Sequence, residues 1–320
     1  MLKLLQALFG SDEETGISEA IVKQAIERAV DGTDPWLRGV SGYRRKLAPA
    51  VHHALEHVRG LVTALSPPLP VTAASYDDPA LKPFFISSEE LRGVFANDRS
   101  LKEFRRAGGA ATTYALLAME KRETTSFGAE LSGSIVLRDV PQVAVTFENH
   151  RLLDPSGDEG MTRRLLMRRA YDHLLSLALR RLTHLKGELT GLEKRRTLLQ
   201  AKLNLLQEGE FGFARGSVEE QLAVADVEER LREIEAQLGE LGGDDRVLES
   251  YLGTVTRVLG QAEEHLWATS ETLFIDRMGI KRGPGAVPEL TLAELRNTEG
   301  RTLVVLLVSL KGEEFCTIHS

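Results

Sequence analysis

Apolar positions recur along the chain with two different periods, and the change of period divides it into blocks. From residue 17 to about 107 the spacing is helical. Ser18 precedes IVKQAIERAV, in which Ile21, Ala25 and Ala29 share a face, and Asp34-Pro35 sets a proline at a first helical turn ahead of Trp36 and Leu37. The next helix is predicted to begin near Pro49, with Val51, Leu55, Val58, Val62 and Leu65 as its stripe. It stops at SPPLP, residues 66–70, a stiff extended connection. Ser87 and Glu90 form a capping box before Leu91, Val94 and Phe95, and a short helix carrying Leu101 and Phe104 ends at Gly108-Gly109.

From Thr112 the period falls to two. TTYALLAME, SIVLR and QVAVTF read as strands, the last with Val143, Val145 and Phe147 on one face, and DVPQ at 139–142 reads as a turn. A second strand-rich block comprises ETLFID, PELTLAEL and RTLVVLLVSL, with NTEG at 297–300 as the turn between the last two. Leu303–Val308 is apolar on both faces, which predicts a central strand.

Between the two β blocks, positions 175, 178, 182, 185, 189, 192, 196, 199, 203 and 206 alternate in steps of three and four, and eight of the ten are leucine. A heptad sustained this long is a coiled-coil seam. Gly-rich EGEFGFARGS at 208–217 interrupts it, and a second seam follows at Val224, Val227, Leu231, Ile234, Leu238 and Leu241. After Gly242-Gly243 a third runs through Leu248, Leu252, Val255, Leu259, Ala262 and Leu266. The first helix spans ~70 Å and the later two together ~73 Å at 1.5 Å per residue, so an out-and-back hairpin fits without slack. Charge supports this pairing. Residues 161–207 hold eleven Arg or Lys against three acids, and residues 217–266 hold thirteen Asp or Glu against four Arg.

That complementarity changes how the arginine pairs of the first helix read. An acidic helix tethered alongside would neutralise them, which disfavours nucleic acid as a partner, and the net charge of −7 points the same way. Cys316 is the only cysteine, so no intrachain disulfide forms and a cytoplasmic setting is expected. MLKLLQALFG is too short for a signal peptide, and a membrane contact is conceivable only through Met1–Gly10.

The expected fold is α+β: a helical N-terminal region (1–110), a β-rich base from two separated segments (111–153 and 268–320), and a long antiparallel coiled-coil hairpin (161–267) inserted between them. At its tip loop, 208–217, two readings stay open for Phe211 and Phe213. Either the rings fold back to cap the seam, or they stand exposed beside Arg215 as an anchor for a protein partner.

Candidate chemistry elsewhere is thin. His53 and His57 stand one helical turn apart, but HHALEH does not match HExxH and no third ligand is evident, so no metal or other cofactor is expected. GVSGYRRK at 39–46 lacks the spacing of a phosphate loop. Glu148 and His150, in FENH, are the best acid/base candidates of the β block. No GxSxG or CxxC is present, and no cysteine–histidine pair of plausible placement. The expectation is a non-enzymatic scaffold or adaptor that bridges protein partners through a rigid arm and self-associates. Two alternatives remain: an enzyme or small-ligand sensor with a pocket between the N-terminal helices and the β base, and a peripheral membrane-associated coiled-coil protein.

Overall fold

The computed structural model describes residues 17–72, 74–132, 135–208, 218–241, 244–276 and 278–311. Phe211, Phe213, Arg215, Met1–Gly10 and Cys316 lie outside the described residues. The fold is α+β, 56% helical and 27% strand. No helix among the described residues is long and apolar enough to cross a membrane. The described residues form two compact units, 55–171 with 262–311, and 17–54 with 172–261.

The first unit is built on one six-stranded sheet: β1 (Leu69–Val71), β2 (Thr112–Ser132), β3 (Ile135–Ser156), β4 (Leu266–Phe274), β5 (Glu289–Asn297) and β6 (Thr302–Lys311), in the order β3-β2-β6-β5-β4. The two separated β blocks therefore meet directly, β2 pairing antiparallel with β6 from Thr112↔Lys311 to Met119↔Val304. On its other edge β6 pairs with β5 near Thr302 and, in parallel, with β1 near Val308, so the proline-rich connection becomes a short strand. This central position explains the two-faced apolar run. Val304, Val308 and Leu310 enter one core with Leu117, Met119, Phe147 and Leu292, while Val305 and Leu307 enter a second with Leu116 and Ala118.

Helices cover both faces. The first core is closed by α3 (Ser88–Asn97) and α4 (Arg99–Arg106) through Leu91, Phe95 and Leu101, with Phe84 and Phe85 from the turn before them. Val62 near the end of α2 (Tyr43–Thr63) and Leu166 near the start of α5 (Glu159–Glu208) close the second. Ser87 Oγ caps α3 by accepting from the Glu90 amide at 3.1 Å; the Glu90 carboxylate accepts instead from the Ile86 amide, one residue before the usual capping-box partner. In the NTEG turn, Asn297 Oδ1 accepts from the Glu299 and Arg301 amides, and Gly300 takes φ +75°.

After β4 the chain doubles back, with Ile275 bridging Lys281 and Ile280 bridging Ala144 of β3, so the sheet curls until its edge strands are linked. Gly279 makes the approach possible: at φ +78° a Cβ there would stand 3.0 Å from the Val145 carbonyl oxygen.

The structure corrects two local readings. DVPQ is not a turn but lies inside β3, because Asp139 is the extra residue of a bulge: it takes φ +58°, and β3 advances three residues there while β2 advances two. Asn149 and Asp154, at φ +57° and +51°, mark two further register shifts of the same kind. Asn and Asp tolerate this left-handed region better than other side chains. The helix expected to begin near Pro49 begins at Tyr43, six residues earlier. Gly42 at φ +67° precedes the start, and Tyr43 and Arg44 both bond the Glu27 carboxylate, at 2.9 and 2.8 Å, which anchors the first turn ahead of the proline.

The second unit is helical. It contains α1 (Glu19–Thr33), capped by Ser18, and a 3-10 turn at Pro35–Gly39 capped by Asp34. The rest is α6 (Val218–Leu241), α7 (Asp244–Gly260) and the portions of α2 and α5 within its bounds; the four-residue α8 (Ala262–His265) that follows belongs to the first unit. Along α5 from Leu182 onward, Leu182, Leu185, Leu189, Leu192, Leu199 and Leu203 are buried or half-buried, and every residue between them up to Asn204 is exposed. Along α6 the covered positions are Val224, Val227, Leu231, Ile234 and Leu238. Both stripes keep the three-and-four spacing of the seams, with Arg196 the exposed exception.

Candidate functional site

The bulge at Asn149 decides the fate of the FENH pair. Before it, odd-numbered residues of β3 face the first core, as Val145 and Phe147 do; after it, Leu152 does. Glu148 and His150 consequently land on opposite faces of the sheet and form no acid/base pair. Glu148 is half-exposed with Arg122 at 3.5 Å. The His150 side chain is buried, stacked on Phe85 at 4.8 Å between centroids, and its Nε2 donates to the Phe84 carbonyl at 2.8 Å. Its Nδ1 lies 3.9 Å from Glu90, beyond hydrogen-bond length.

The helical histidines also serve the fold. His57 Nε2 donates to the Leu266 carbonyl at 2.7 Å, tying α2 to the start of β4, and His53 is exposed. Among the described residues no group of three or more His, Cys, Asp or Glu is arranged to hold a metal ion.

A cluster that the sequence reading missed lies where β2 leaves β6. Lys121 continues the inward phase of Ala115, Leu117 and Met119, and Glu294 continues that of Leu290 and Leu292, so both are carried onto the core face of the sheet. Glu294 is fully buried and binds Arg296 Nη2 at 2.6 Å. Lys121 Nζ stands 3.2 Å from Glu294 Oε1, off the direction of a hydrogen bond, so that contact is ionic; it also bonds Glu271. Glu123 stands 3.7 Å from the same ammonium, so two cations face three carboxylates. Burial pushes the Lys121 ammonium down, but Glu271 and Glu294 outweigh it and raise its pKa. Burial likewise pushes Glu294 up, and Arg296, Glu271 and Lys121 together hold it below the ordinary carboxylate range. The signal available in the sequence was a charge on the apolar phase of each strand.

The neighbouring loop is organised by Asp276, whose carboxylate accepts from the Met278 and Ile280 amides at 2.8 and 3.0 Å and binds Arg282 at 2.7 Å. Burial raises its pKa, and the two amides and the guanidinium more than reverse that shift. Lys281 reaches Glu123 at 3.2 Å, so the curled sheet is closed by charge as well as by backbone.

In the helical unit a cavity of about 510 Å³ opens beside the leucine stripe of α5. Leu185, Leu189 and Leu192 form its floor, and Gln237 of α6 with Val247 and Tyr251 of α7 form its walls. Gln237 and Val247 lie on either side of residues 242–243, so the opening stands where α6 gives way to α7. Asp34, almost fully buried, accepts from Lys186 Nζ at 2.7 Å, and that ammonium lies over the Tyr251 ring at 5.4 Å. The same unit is also held by Arg28 paired with Asp172 and by Lys46 paired with Glu249.

Compared with models of protein families, with curated proteins and with solved structures, the chain matches none.

Proposed function

We propose that the chain is a non-enzymatic scaffold or adaptor in which α6 and α7 fold back along α5 as an antiparallel coiled-coil arm, spacing or bridging protein partners. The covered three-and-four stripe on α5 and α6 carries this reading, since side chains of an isolated helix are not selectively shielded at seam positions. The cavity lined jointly by α5, α6 and α7 supports it further, as does the opposite charge of the two arms. A partner at the tip would engage Phe211, Phe213 and Arg215, the residue types most often found as interface anchors. Function then follows from geometry: a rigid arm sets a distance between what binds the tip and what binds the β base.

The test compares proteins recovered with the intact chain and with Phe211→Ser/Phe213→Ser. The double variant is expected to melt within about 2 °C of the parent and to lose a partner. A marked drop in melting temperature would instead assign the rings to capping the seam. Recovery of the same partners at an unchanged melting temperature would contradict a tip contact.

A further inference from the structure

Between α1 and α2 the helical unit carries a second opening, an apolar groove of about 740 Å³. The two helices run antiparallel beside it: Glu27 bonds Tyr43 and Arg44 at one end, and Glu19 and Val22 share the groove with Ala48 and His52 toward the other. Ile17, Val22, Ile26 and Ala48 supply the apolar lining, and all but Ile26 keep part of their surface open. Both acids of the groove are taken, Glu19 by Lys23 at 3.7 Å and Glu27 by Arg44 at 2.8 Å. The exposed Arg45 is left without an ion-pair partner among the described residues. The groove therefore asks for an occupant that is apolar along one face and acidic at one end.

We infer that the occupant is the chain's own segment Met1–Gly10, lying along the groove as a short helix. Ile17 itself lines the groove, so the chain enters the described residues at the site. Wound as a helix, the segment sets Met1, Leu4, Leu5 and Leu8 on one face at positions i, i+3, i+4 and i+7, with Lys3, Gln6 and Gly10 opposite. Its length is about 15 Å, and the groove from Ile17 to Ile26 runs about 14 Å at the same rise per residue. The connector 11–16 carries Asp12, Glu13 and Glu14. Fully extended it spans ~20 Å, enough for an acid to reach Arg45. So short a tether holds the segment beside the groove at an effective concentration in about the millimolar range, which favours it over an occupant from solution. Docked there, the leucine face braces α1 on α2 and is withheld from any membrane surface.

Hydrogen exchange on the full chain, read by mass spectrometry, tests this. Amides of residues 5–10, the ones a helix bonds internally, should exchange at least about 30-fold more slowly than in a free peptide of residues 1–16. Leu5→Glu/Leu8→Glu, and Ala48→Phe from the groove side, should each return them to the peptide rate. Unchanged protection of β2 and β6 in the same samples shows that the variant chains are folded. A parent exchanging at the peptide rate, or protection that survives Ala48→Phe, would overturn the inference. So would protection that vanishes on dilution by about 100-fold, which would seat the segment on a second copy. Protection that appears only with vesicles of anionic phospholipid would overturn it too, making the segment a membrane contact.

Discussion

Replacing Phe84 with alanine lowers the stability of the β unit by about 3–5 kcal/mol, the range for a large aromatic removed from a packed core. Phe84 is 2% exposed and meets Phe147 edge-on at 4.9 Å between centroids. That contact joins the turn before α3 to the middle of β3, so the cavity left behind would be walled by a strand and a helix layer that cannot close on each other freely. The Phe84 carbonyl, which holds His150, is unaffected in composition, so the loss reports the ring itself. Urea unfolding checks it against Phe127→Ala, where a ring 74% exposed should cost no more than about 0.5 kcal/mol. Equal effects at the two positions would contradict the placement of the core.

Replacing Lys121 with methionine is expected to cost about 2–3 kcal/mol near neutral pH. Removing one partner of a buried ion pair typically costs ~3–5 kcal/mol, and here Arg296 still binds Glu294. The pH dependence identifies the cause. Glu294 is held below its ordinary value in the folded chain, so its contribution is complete above about pH 4.3 and is lost as pH falls through the depressed folded pKa. Lys121 is raised, so its own contribution is present below about pH 10.4 and is lost only as pH climbs through the raised value. In Lys121→Met the carboxyl at Glu294 protonates more readily. The gap between parent and variant should therefore be widest from about pH 5 to 9 and narrow as pH drops below about 4. Urea midpoints across that range measure it, and a gap independent of pH would mean that the lysine matters for its aliphatic stem alone.

Periodicity carried the strands and helices because burial on one face leaves a direct trace in composition. The two-faced run Leu303–Val308 is the clearest case, its alternate residues entering two different cores. What escaped the sequence are events that cost one residue. Asn149 alone turns the phase of β3 and parts Glu148 from His150, yet an asparagine within a strand is indistinguishable from a turn residue until its partner strand is known. DVPQ misled for the same reason, a proline within a bulge looking like a proline in a turn. Pro49 marked a helix start that Gly42 had already set, because the contacts holding the first turn come from Glu27 in a different helix. Lys121 and Glu294 were legible as charges on apolar phases, but their pairing depends on β2 and β5 flanking the same strand.

The back-folded arm is tested most directly by the distance between spin labels at Arg195→Cys and Gln237→Cys in a Cys316→Ser background. Labelled chains are diluted into excess unlabelled protein so that only intrachain pairs report. The two positions line one cavity, so α6 lying along α5 gives a narrow distribution below about 25 Å, as for side chains on helices packed ~8–10 Å apart. A broad distribution extending well beyond that, from helices standing apart, would contradict the arm.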